Sequence, residues 1–138
     1  MQEHSPRVLC AAGHHYEMGE RGSREFIKAM LPEYEIRFAQ NEFDITELAR
    51  EGGYDLILMN CIRLDGRYAK ACVLIRMFDP DTPVIFITDS HQMSEEDTAK
   101  VEAQGVFSTD DEHFVEDLRS RIGELVGRDT LIFKRNYI

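Results

Sequence analysis

The residues of this chain best suited to chemistry are a scattered set of histidines and cysteines. Four of the five histidines, His14, His15, His91 and His113, fall in stretches that read as loops, and Cys61 falls in another. Imidazole and thiolate together suit zinc, copper or iron. Their spacing matches no compact ligand motif, however, and loop histidines are commonly just solvated, so the expectation is no bound metal and no cofactor. Cys10 and Cys72 lie in apolar or helical contexts, where a buried, inert thiol is the norm. Cys61 alone sits near a functional edge. The most informative position is Asn60, which closes the apolar run Leu56-Ile57-Leu58-Met59. An amide is neither a nucleophile nor a carrier of negative charge, which steers the reading away from an enzyme.

The elements that must position these residues are legible as five strand–helix repeats. A strand without polar alternation is buried on both faces, as in the centre of a parallel sheet, so Tyr54–Asn60 reads as the central strand. Arg7–Ala12 reads as a first strand. Ser23 is a cap for a helix with Phe26, Ile27, Met30 and Leu31 on its apolar face, stopped by Pro32. Tyr34–Ala39 alternates as a strand nearer an edge would. Asp44 with Glu47 forms a capping-box pattern for a second helix, closed by Gly52-Gly53. A third helix runs from about Arg67 to Phe78, and Val84–Thr88 is again wholly apolar with a polar end. Ser94, followed by three acids, starts a helix expected to stop at Gly105. Val106–Thr109 is the fifth strand. The last helix carries the stripe Phe114, Val115, Leu118, Ile122 and Leu125 and is expected to end at Gly127. Such alternation implies an α/β fold: a five-stranded parallel sheet, doubly wound, with helices on both faces. In sheets of this kind the site lies outside the carboxyl ends of the strands.

Bulk properties narrow the function classes. At 138 residues the chain is one domain, with 43% hydrophobic and 30% charged residues. A net charge of −10 argues against a nucleic-acid surface and against anionic lipid. No apolar run approaches a membrane span, and three sparse cysteines fit a reducing cytoplasm. Residues 129–138 are apolar, then basic, and fit none of the five units. They read as a tail, or as the start of a linker to an output domain, behind a domain spanning 1–128.

With DLILMN…LDG followed by PVIFITDS, the chain resembles the receiver domain of bacterial two-component response regulators over roughly residues 6–127. The resemblance implies a flavodoxin-like (βα)5 sandwich. It also implies a pocket with a phospho-accepting aspartate ending the third strand, an acidic pair after the first that holds magnesium, a Thr or Ser ending the fourth, and a lysine ending the fifth. Thr88 matches. The acceptor position is Asn60, the acidic pair falls on Ala12 and Gly13 (or His14 with a shift of one), and the lysine position falls on Asp110 or Glu112. Phosphoryl transfer would need a carboxylate nucleophile, a metal on hard oxygen ligands and a cation for the developing charge. On this alignment all three are lost.

The expectation is therefore a degenerate pseudo-receiver, a non-enzymatic protein–protein interaction or dimerisation module of bacterial signal transduction. In receivers the contact surface is the fourth helix, fifth strand and fifth helix, here about Ser94–Gly105 and His113–Val126. Thr88 and Phe107 resemble the threonine–aromatic pair that couples pocket to that face, although a strand aromatic such as Phe107 can equally be plain core. The rival reading is a metal-binding, small-molecule-binding or enzymatic flavodoxin-like domain that uses the histidine-lined edge. A further one is unconventional phosphorylation at Asp65 or Asp89.

Overall fold

A computed structural model describes residues 5–12, 23–60, 66–88 and 103–137. The helix expected from Ser94, and the candidates Gly13, His14, His15, Cys61, Asp65, Asp89 and His91, lie outside the described residues. Five strands, β1 (Arg7–Ala12), β2 (Glu35–Ala39), β3 (Leu56–Asn60), β4 (Val84–Thr88) and β5 (Gly105–Ser108), form one parallel sheet in the order β2-β1-β3-β4-β5. The apolar run ending at Asn60 is thus the middle strand, with β1 and β4 on either side. Its side chains alternate between two cores. Ile57 and Met59 join Leu9, Ala11, Val84 and Phe86 beneath helices α2 (Glu42–Glu51) and α3 (Gly66–Phe78). Leu56 and Leu58 join Val8, Cys10, Ile85 and Ile87 beneath α1 (Arg24–Met30) and the C-terminal helix (Phe114–Tyr137). Both faces are covered, which is why β1, β3 and β4 needed no polar alternation.

Local signals account for most boundaries. The Ser23 side chain accepts the Phe26 N–H at 3.1 Å and caps α1. Gly52 and Gly53 end α2 at φ of 75° and 85°, in the left-handed region where a side chain would be strained. Edge strand β2 keeps Glu35 and Arg37 exposed while Ala39 is buried.

Three expectations are corrected. The cap of α2 is Asn41, whose side chain accepts from Phe43 and Asp44 N–H at 3.0 and 2.9 Å. Asp44, instead of capping, reaches back to the Gln40 N–H at 2.9 Å, so the box pattern lies three residues upstream of the Asp44–Glu47 pair. The fifth strand starts one residue earlier than expected: Gly105 opens β5, in register with Ile85. A Cβ there would meet the Phe107 ring at 2.8 Å, so the position suits a residue without a side chain. Finally, the C-terminal helix passes through Gly127 to Tyr137. Glycine costs a helix only about 1 kcal/mol relative to alanine, and it terminates one when it adopts positive φ. Among the described residues only Gly52 and Gly53 do so.

Candidate functional site

The carboxyl edge of the sheet is assembled by strand register. Ala12 pairs with Asn60, and Asn60 with Ile87. Thr88 pairs with Ser108, and the Thr109 N–H donates to the Thr88 carbonyl at 2.8 Å. The expected positions Ala12, Asn60 and Thr88 are therefore brought to one edge, at the ends of three adjacent strands. Thr88 is buried at 2% exposure, and Thr109 is buried beside it. Sequence reasoning missed Thr109, since nothing in its type distinguishes it from an exposed strand-end threonine. Phe107 is half-buried and packs toward the core beneath the C-terminal helix.

Beyond β5 the chain turns tightly. The Asp110 N–H donates to Ser108 Oγ at 3.2 Å, and the His113 N–H to Asp111 Oδ1 at 2.9 Å. The Asp111 carbonyl then accepts the Phe114 N–H at 3.1 Å. This small network starts the C-terminal helix and leaves Asp110 and Glu112, the two candidates for the lysine position, exposed. His113, the described member of the histidine set, is also exposed. Its Nε2 lies 3.1 Å from Glu112 and its Nδ1 3.7 Å from Glu116. The described residues at the end of β5 thus present negative side chains, which repel an anion such as phosphate.

Among the described residues, this edge supplies a buried hydroxyl, an amide residue and a methyl-bearing residue, with acids beside the end of β5. The residue types at Ala12 and Asn60 include no carboxylate to attack phosphorus or to bind a hard cation. The described thiols do not help. Cys10 and Cys72 are both fully buried. Burial pushes the Cys10 thiol up to about 12, with nearby Arg24 offsetting part of the effect, so Cys10 carries no thiolate at neutral pH.

No family model matches the chain, and no curated protein matches it. Solved structures do. The response regulator TrrA of Thermotoga maritima, in complex with Mg2+–BeF, is 23% identical with a TM-score of 0.68, over 87% of this chain and 98% of that one. The same regulator in complex with the histidine kinase ThkA is 22% identical with a TM-score of 0.68, over 88% and 98%. The receiver domain of a sensor histidine kinase from Pseudomonas aeruginosa, with magnesium in its active-site cleft, is 18% identical with a TM-score of 0.71, over 90% and 99%. At these identities the likeness is one of fold: the chain has the five-stranded parallel α/β architecture of receiver domains.

Proposed function

We propose that this chain is a pseudo-receiver: a two-component signalling module of the cytoplasm that works by binding protein and neither accepts phosphate nor catalyses a reaction. One observation carries the reading. The residue at the carboxyl end of the central strand is Asn60, set in register against Ala12, while the exit of β5 is lined by exposed acids. Phosphoryl transfer is almost entirely positioning and electrostatic stabilisation of a highly charged group. Nucleophile, metal ligands and cation would each have to come from elsewhere.

The partner surface we favour is the half built on β5 and the C-terminal helix over His113–Val126, together with the expected helix from Ser94 to Gly105. β5 has β4 on one side and, among the described residues, no strand on the other, and such an edge is a template for association. The kinase complex of TrrA supports a protein partner for this fold. A second copy of the chain could also use this half.

Incubation with acetyl phosphate and magnesium, followed by intact mass measurement, tests the proposal. The expected result is no mass increase for the wild type. Asn60→Asp alone is expected to remain poorly phosphorylated, because Ala12 and Asp110 are unchanged. A phosphorylated wild-type chain would refute the reading, and mapping the label to Asp65 or Asp89 would identify an unconventional acceptor.

A further inference from the structure

Helix α3 is apolar on the wrong side as well as the right one. Its inner face, Ala71, Cys72 and Ile75, is buried against the sheet. Its outer face carries Val73, Leu74, Met77 and Phe78, which remain 48%, 47%, 78% and 38% exposed. A helix that is hydrophobic all round is ordinarily buried all round. Leu74, Met77 and Phe78 also line, with Arg50 of α2, an open cleft of about 530 Å³. The Arg50 guanidinium lies over the Phe78 ring at 5.3 Å, which holds that ring at the cleft wall.

The geometry points to a second copy of this chain as the occupant, with α3 packed antiparallel against α3 across a two-fold axis. Two observations select a self-complementary partner. The first is charge. Exposed Lys70 lies toward the start of the stripe and exposed Asp81 lies just past its end. A dyad midway between Leu74 and Met77 sets Leu74 against Met77 of the other copy, Val73 against Phe78, and Lys70 against Asp81, each relation occurring twice as an isologous contact requires. Arg76, the remaining cation of this stretch, is committed inward to the carbonyls of Asp79 and Thr82 and to Gln104. The second is area. The four side chains leave on the order of 400 Å² of apolar surface in water, a patch large enough to mark an interface. That is most of the apolar share of the ~800 Å² per partner in a standard interface. This contact lies on the α2–α3 layer. It leaves the half containing β5 and the C-terminal helix open for a different protein and does not depend on whether Asn60 accepts phosphate.

Sedimentation velocity on the full chain across a concentration series tests the assignment. The wild type is expected to be a dimer. Met77→Glu places a charge in the centre of the contact and is expected to raise the dimer Kd at least ~100-fold, with an unchanged circular dichroism spectrum because Met77 is exposed in the single chain. Lys70→Asp and Asp81→Lys are each expected to weaken the dimer several-fold, and the double exchange to recover most of that loss. A monomer at all concentrations would overturn the inference. So would a dimer indifferent to Met77→Glu, one lost only on Val115→Glu in the C-terminal helix, or a double exchange weaker than either single one.

Discussion

Gln104 provides a quantitative test of how the last strand is anchored. Its side-chain oxygen accepts the Val84 N–H at 2.7 Å and Arg76 Nη2 at 3.0 Å, while its own N–H donates to the Val84 carbonyl at 2.8 Å. One amide therefore ties the start of β4, the end of α3 and the entry to β5. Replacing it with leucine keeps volume and the main-chain bond but removes the acceptor. Val84 is fully buried, so its orphaned N–H should cost about 1–3 kcal/mol. Arg76 retains its two carbonyl partners, so its loss should stay below about 1 kcal/mol. The sum for Gln104→Leu is about 1–4 kcal/mol, or roughly 3–16 °C in Tm for a chain of this size. Gln104→Glu keeps an acceptor for both donors and should fall within ~1 kcal/mol of wild type. Urea denaturation followed by circular dichroism measures both, with an unchanged m-value confirming that only stability moved. If Gln104→Leu costs less than ~0.5 kcal/mol, or if Gln104→Glu is as damaging, the anchoring argument fails.

Two further outcomes follow from buried and capping groups. Cys10 is raised by burial to about 12 from an ordinary 9.0. Its contribution to stability is therefore fully present below pH 9 and lost as pH rises toward 12, with a slope of at most about 1.4 kcal/mol per pH unit. Cys10→Ala should flatten the alkaline limb of the stability curve relative to wild type, and an unchanged limb would contradict the assignment. Asn41→Ala should destabilise by about 1 kcal/mol through loss of the α2 cap. The same change at Glu47, which is exposed in mid-helix, should fall within ~0.5 kcal/mol of wild type, and thermal denaturation distinguishes the two.

The parts of the fold that were legible are those where one physical signal decides. An apolar run of strand length bounded by polar residues gave β1 and β4 at their observed limits, because both are buried on two faces. Ser23 and Pro32 bracket α1 by a cap and a missing donor. Asn41 was harder, since whether a polar residue caps depends on where the preceding strand ends, and β2 ends at Ala39 through pairing with β1. Glycines misled twice. Gly52 was read correctly because its φ is positive, whereas Gly105 is fixed by register with Ile85 and contact with Phe107, neither visible locally. Gly127 lies within a helix that continues. At the candidate site the ends of the apolar runs, together with the receiver resemblance, were enough to expect Asn60, Ala12 and Thr88 on one edge, as strand register places them. The buried partner Thr109 and the Arg76–Gln104 link, which spans 28 residues of sequence, needed the folded chain. The apolar outer face of α3 also escaped notice, because its spacing looks like core until the inner face is seen to be filled by Ala71, Cys72 and Ile75.

Fluorine NMR of the chain with beryllofluoride and magnesium tests the proposed absence of phosphate chemistry most directly. The account predicts only free fluoride species, with the amide resonances of Thr88 and Thr109 unmoved. A bound fluoride signal that requires magnesium, accompanied by shifts at those two threonines, would contradict it.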